Sequence, residues 1–251
     1  MKNKDPINVY WAPSQFDTSS AQWNFLYSEP RLVSDNLTTG VAGDSTMVKC
    51  PAAREALRNV YSLHSTIDDD VDLSTLDFES DRYDSSNEKY QLLLDSKVSL
   101  HRIRRSSFLN QINVAYNLGW LFFADKPLVA KITPPYYPNV TPTPGALMAV
   151  GQYDIGQWYR PVNLDYHLPY NSTRFTVKSE QPLAFIEFKT ESPIILHRYQ
   201  LTPLLDKMAE EFTSSAANFG AKISLQNRYK MAKKADMARL VLSEIKKNLV
   251  S

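Results

Sequence analysis

The sequence predicts a mainly antiparallel β-sandwich of jelly-roll or cupin-like type, with a short N-terminal helix and two C-terminal helices. Three observations lead there. Short alternating apolar segments separated by turn residues crowd the stretch from Trp120 to Tyr199. Their number suits a sandwich or double-stranded β-helix better than a small barrel. After Thr202 the apolar period changes from two residues to a helical spacing. At 251 residues and 43% hydrophobic content the chain can bury a substantial core. The reading divides it into an N-terminal strand and helix segment packed on the β domain (1–89), a sandwich core (90–200) and a helical extension (201–251).

In chain order, Ile7-Asn8-Val9-Tyr10-Trp11 alternates like a strand that Pro13 ends. Pro51 to Val60 reads as a helix, because proline fits the first turn and Ala52, Ala53, Glu55, Ala56 and Leu57 favour helix. Asp68-Asp69-Asp70 and Asp81 to Lys89 are polar interruptions expected to be surface loops. Strands are expected at Tyr90 to Leu94, Val98 to Ile103, Ile112 to Tyr116, Trp120 to Phe123 and Leu128 to Ile132, with Asn117-Leu118-Gly119 as a turn. Thr133 to Gly145 holds five prolines, which lack amide donors, so a stiff extended loop is expected there. Further strands follow at Leu147 to Val150, Val162 to Tyr166, Arg174 to Val177, Leu183 to Phe188 and Ile194 to Tyr199. Thr202 then caps a helix that starts at Pro203 and that Gly220 ends. A second helix is expected from Leu225 to Leu249, on which Met231, Ala235, Ala238, Leu242, Ile245 and Leu249 form one apolar seam. The preceding helix or the β domain is the simpler cover for that seam; self-association through it is the alternative carried forward.

Composition removes several function classes. With 28 basic and 27 acidic side chains, the chain lacks the global charge of a general nucleic-acid binder. The basic side chains of the last helix, Arg228 to Lys247, are explained as well by a solvated face. One cysteine, Cys50, excludes an intrachain disulfide, and Met1 to Pro6 lacks the apolar run of a secretion signal. No apolar segment reaches bilayer-spanning length. Cytosolic synthesis is the natural reading, and no cofactor is expected.

Three chemistries compete for the site. Cys50 before Pro51 would sit at the positive end of a helix, which favours thiolate, with His64 or His101 as base; a solitary cysteine is more commonly a packing residue. Asp165 and His167 share one face of a strand, and with His197 they offer metal-ligand types, but without the spacing of oxygenase or cupin metal motifs. Aromatic residues around the proline-rich segment offer flat apolar faces with polar edges, suited to a sugar, peptide or partner loop. From these, Tyr136, Tyr137, Trp158 and Arg160 are the expected partner-binding residues.

The segments Val9-Tyr10-Trp11-Ala12-Pro13, Lys49-Cys50-Pro51-Ala52, Arg58-Asn59-Val60-Tyr61, Ile155-Gly156-Gln157-Trp158-Tyr159-Arg160-Pro161 and Gln181-Pro182-Leu183-Ala184-Phe185-Ile186 together resemble an uncharacterised family of marine tailed phages, of the kind infecting cyanobacteria. The resemblance spans about residues 7–205. It implies a viral origin and a place in the particle or an intracellular accessory role, and it carries no activity or catalytic residue with it. The resulting expectation is a non-catalytic phage binding or assembly protein, with a metal-dependent enzyme on a double-stranded β-helix scaffold as the alternative.

Overall fold

The computed structural model describes residues 4–14, 27–35, 50–74, 101–106, 109–116, 119–136, 145–162, 164–213 and 225–250. Its strands are β1 (Ile7–Pro13), β2 (Arg31–Leu32), β3 (Val60–His64), β4 (Asp69–Asp72), β5 (His101–Ser106), β6 (Gln111–Tyr116), β7 (Trp120–Ala124), β8 (Val129–Thr133), β9 (Leu147–Met148), β10 (Gly151–Asp154), β11 (Leu164–Pro169), β12 (Arg174–Val177), β13 (Pro182–Phe188) and β14 (Ile194–Arg198). The helices are α1 (Pro51–Ala56), α2 (Pro203–Thr213), α3 (Leu225–Lys234) and α4 (Met237–Lys247). The protein is mainly β, and its strands form sheets in the orders β14-β1-β7, β10-β8-β13-β3-β2, β5-β6-β11-β9 and β12-β4. Among the described residues no sheet closes into a barrel, and no helix is long and apolar enough to cross a membrane.

Most pairings are antiparallel; β1 and β14 run parallel, with Ile7 opposite Ile194 and Trp11 opposite Arg198. The main core gathers one face from each sheet: Val9 and Trp11, Ile112 and Val114, Phe122, Ala130, Leu164 and Tyr166, Phe175, Leu183 and Ile186 all lie in it. The opposite face of β14-β1-β7 is covered as well. Tyr10, Ala12, Leu121 and Phe123 pack there against Leu205 and Ala209 of α2 and Val241 and Ile245 of α4. This double burial explains why β1 and β7 are apolar almost throughout, as a strand covered on both sides must be. Strands β6 and β11 send one face into the core and leave the other half-buried, and they alternate cleanly.

The expected strands at Ile7, Ile112, Trp120, Leu128, Arg174, Leu183 and Ile194 appear within two residues of their bounds, and Val162 to Tyr166 appears shifted, as Leu164–Pro169. Thr202 caps α2 as expected, accepting the Leu205 amide on Oγ1 at 3.3 Å. Three expectations need correction. Asp68-Asp69-Asp70 is not a loop: β4 begins at Asp69, which is 2% exposed, and Val71 and Leu73 follow it into the core while Asp70 faces outward to Arg174. The period-two pattern outweighs the local polarity there. The helix at Pro51 stops at Ala56, because Asn59 turns left-handed (φ 55°) and Val60 begins the wholly buried β3. The single helix from Leu225 is two helices, broken where Asp236 adopts φ 51°, a left-handed conformation that aspartate tolerates better than most residues.

Tyr90 to Leu94, Asp81 to Lys89, Gly220 and most of the proline-rich loop lie outside the described residues, as do Asn117 and Leu118.

Candidate functional site

The expected aromatic surface is divided by the fold. Tyr136 follows β8 at its Thr133 end, whereas Trp158 follows β10 at the end where Asp154 pairs with Val129. The two residues leave the β8–β10 pair at opposite ends, about 13 Å of strand apart. Tyr136 is 51% exposed and stands edge-on to buried Phe185, with ring centroids 4.9 Å apart. Tyr137 lies outside the described residues.

Trp158 has one ring face occupied within the chain: Tyr229 of α3 stacks on it at 3.4 Å, and the Tyr153 ring lies nearly parallel with its centroid 6.4 Å away. The loop holding it is knotted by Asp154, whose carboxylate accepts the amides of Leu128 (3.1 Å) and Gly156 (2.8 Å) and the Gln157 carboxamide (2.7 Å). Gly156 is required for close approach, since a Cβ there would lie 2.3 Å from the Lys126 carbonyl oxygen. Tyr159 continues the loop into the second core, where its hydroxyl meets that of Tyr199 at 2.8 Å. Burial pushes both hydroxyls well above the usual tyrosine range. The run Gly156 to Pro161 thus fastens the C-terminal helices to the β-sheet. Arg160, within that run, is half-buried.

The apolar seam does not survive as one surface. Ile245 is fully buried within the chain, and Ala238 and Leu242 pack on the same cluster. Met231, Ala235 and Leu249 face outward, the first two on the other side of the Asp236 break. The physical reason is that break: a left-handed residue rotates everything beyond it out of the heptad register.

The proposed metal set is likewise divided. His197 sits on β14, where its ring stacks on Tyr10 at 5.3 Å. The Asn8 carboxamide donates through Nδ2 to Asp125 at 2.7 Å, so its oxygen must accept from His197, whose Nε2 donates across 2.9 Å. Asp165 and His167 sit on β11, in a different sheet. Among the described residues no group of three histidine, cysteine or acidic side chains is placed to hold a metal ion. Cys50 is exposed at the start of the six-residue α1. His64 cannot serve it as base: its Nδ1 donates to the Glu180 carbonyl at 2.8 Å, and Nε2 lies 2.7 Å from the Ser62 hydroxyl inside the core. Burial lowers its pKa. The side chain of His101 lies outside the described ones.

What the structure does assemble is an open groove of about 340 Å³ on the outer face of β5-β6-β11-β9, lined by Arg104, Asn113, Ala115, Ala149, Asp165 and His167. The register builds it. Arg104 pairs with Asn113 and Asn113 with His167, giving one polar row across three strands; Ala115 pairs with Asp165, and Ala149 donates its amide to the Asp165 carbonyl at 2.8 Å. Alanines on both flanks of Asp165 leave the hollow, while the longer side chains of the neighbouring row wall it. The opposite faces of the same strands carry Ile103, Ile112, Val114, Leu164, Tyr166 and Leu168 into the core, so the groove stands on a rigid support.

Within the groove, the Asn113 Oδ1 accepts from Gln111 Nε2 at 2.9 Å and lies 2.8 Å from His167 Nδ1. Gln111 Nε2 is farther from the ring nitrogen, at 3.1 Å. The shorter contact assigns the ring proton to Nδ1, which leaves Nε2 as an acceptor. Asp165 adds a carboxylate and Arg104 a guanidinium. Asp165 and His167 share a spacing visible in the sequence, whereas His197 lies in another sheet; Arg104 and Asn113 join them through a cross-strand register, which no local spacing encodes.

Comparison with protein-family models, with curated proteins and with solved structures finds no match to this chain.

Proposed function

We propose that this chain is a non-catalytic binding or assembly protein, of phage origin and of jelly-roll or cupin-like type, acting in the particle or in the host cytoplasm. Its ligand-facing element is the groove on β5-β6-β11-β9. The observation that carries this reading is the pairing of oriented polar groups with a hollow on the face of the sheet turned away from the core. The groove offers donors and acceptors on fixed strands. Of the aromatic residues expected to make the contact, Trp158 stacks on Tyr229 and the half-exposed Tyr136 stands edge-on to Phe185. The outward Met231, Ala235 and Leu249 are the part of the seam that self-association would have to use.

The test is a printed array of glycans and peptides probed with the full chain and with Ala115→Leu. The added side chain fills the hollow without removing a polar group. Loss of the array signal with unchanged unfolding supports the groove; retention of every signal places recognition elsewhere.

A further inference from the structure

Charge is unevenly shared along this chain. Residues 225–250 hold seven of the 28 basic side chains and two of the 27 acidic ones, which leaves 21 and 25 elsewhere, so a basic segment is joined to an acidic remainder. Both acids of the segment are committed: Asp236 pairs with Arg239 at 2.6 Å and Glu244 with Lys247 at 3.1 Å. Lys230, Lys233, Lys234 and Lys246 are exposed, and none of them meets an acidic side chain among the described residues. Lys233 and Lys234 stand in the last turn of α3, where the helix dipole favours a cation. That does not account for Lys230, which meets them as like-charged neighbours three and four residues on. The crowding weakens α3 as a helix, and an outside anion relieves it.

The occupant follows from what these helices have left to offer. An interfacial membrane helix turns its apolar stripe to lipid. Here that stripe, Tyr229, Ala232, Ala238, Val241, Leu242 and Ile245, packs on the second core, and Met231 (58% exposed) and Leu240 (45%) are single apolar side chains outside it. A protein partner is gripped through aromatic and arginine anchors, in contacts where lysine is depleted. A single nucleic-acid strand is held by stacking its bases on open aromatic rings; Tyr229, the one aromatic residue of 225–250, is half-buried and stacked on Trp158. The phosphate backbone of a duplex asks only for closely spaced point charges, which lysine supplies. The carboxylates of the adjoining α2, Asp206, Glu210 and Glu211, repel phosphates and so confine contact to α3 and α4.

Independently of the groove, we propose that the outer face of α3, centred on Lys230, Lys233 and Lys234, binds the phosphate backbone of double-stranded nucleic acid without regard to sequence. Each lysine neutralises a phosphate and releases its counterions, so the contact is governed by salt.

Fluorescence anisotropy of a labelled DNA duplex of mixed sequence, titrated with the full chain over a range of salt, tests this. Three lysines on three phosphates predict a slope of log binding constant against log salt of about −3. Replacing each lysine singly by glutamine should lower its magnitude by about one. Lys230→Gln with Lys233→Gln and Lys234→Gln should bring it close to zero and weaken binding about tenfold or more at low salt, with unfolding unchanged because all three side chains are exposed. Lys4→Gln with Lys126→Gln and Lys189→Gln removes the same charge from exposed positions outside the helices and should leave the slope as it was. No binding of the duplex, equal weakening by this second triple, or tighter binding of single-stranded DNA, polyglutamate or phosphatidylserine–phosphatidylcholine vesicles overturns the assignment. The groove is judged separately: Ala115→Leu should leave duplex binding intact, and its loss in that variant would place the phosphates in the groove and overturn the assignment to α3.

Discussion

Two sheets of this molecule invite comparison, β14-β1-β7 and β5-β6-β11-β9. The first is covered on both faces, by the main core and by α2 and α4. The second packs one face into the core and, among the described residues, carries the open groove on the other. The difference is written in their strands: Val9 to Pro13 and Trp120 to Ala124 are buried without interruption, while Gln111 to Tyr116 alternates residue by residue. A doubly covered sheet is committed to stability. A singly covered one can spend its polar face on recognition.

The comparison is broken most severely by removing the second cover. Ile245→Asp places an unpaired charge among Tyr10, Leu205 and Val241, and should cost about 4 kcal/mol or more through lost apolar burial and an unsatisfied carboxylate. Chemical denaturation should show the C-terminal helices detached or the whole domain unfolded. A folded variant of lower solution mass than the wild type would instead make the seam an intermolecular interface.

The fastening loop tests the same cover from the other side. Trp158→Ala removes the ring that stacks on Tyr229 and should cost about 2–3 kcal/mol, near the lower end for truncating a buried aromatic because Trp158 is only half-buried. Increased protease cleavage between α2 and α3 should accompany it. If recognition fails while denaturation is unaltered, the tryptophan is a contact residue after all.

Asp236→Ala sharpens the comparison at the helix break, since alanine pays more than aspartate for φ 51°; about 1 kcal/mol is expected from thermal melting. An unchanged melting temperature would mean that α3 and α4 can join without disturbing the core.

A buried histidine gives the comparison a pH axis. His64 is neutral in the fold and its pKa is lowered from 6.5, chiefly by burial, so the unfolded chain takes up a proton first as pH falls. Stability is therefore fully present above about pH 6.5 and declines as pH drops toward the folded value. His64→Gln should flatten the stability profile between about pH 7 and pH 5 relative to the wild type; an unaltered slope there would mean that other groups carry the acid sensitivity.

The smallest effect on stability is expected at the open face. Ala115→Leu should leave denaturation within about 0.5 kcal/mol of the wild type, as substitutions outside the packed core commonly do, since Ala115 is half-buried on the face turned away from that core. A larger loss would show that the groove floor is part of the packing.

Much of the fold was legible because local pattern and burial agree. Ile112 to Tyr116 and Arg174 to Val177 alternate, and Thr202-Pro203 opens a helix by its own chemistry. Legibility failed where a long-range partner decides. Asp69 enters the core with β4 paired to β12, and Val60 to His64 is buried on both faces between β13 and β2, so neither shows the expected polarity or alternation. The site was half legible for the same reason. Asp165 and His167 sit on one strand and share a visible spacing, while Arg104 and Asn113 reach them through register alone. Trp158 misled because its composition suits a contact surface equally well; only the placement of Tyr229 reveals that its face is taken.

The parallel pairing of β1 with β14 also sets a schedule. Tyr10 and Val241 share a core, yet about 230 residues separate their synthesis, an interval on the order of 10–50 s at about 5–20 residues per second on the ribosome. For most of that interval β1 lacks its neighbour β14, until its end it lacks the covering α4, and an apolar strand left waiting is a target for aggregation. Yield in the cell should then depend on what shields β1 before the last helix emerges. Chains stalled on the ribosome before residue 241 should show β1 open to protease, and protection there would mean that another segment shelters the strand early.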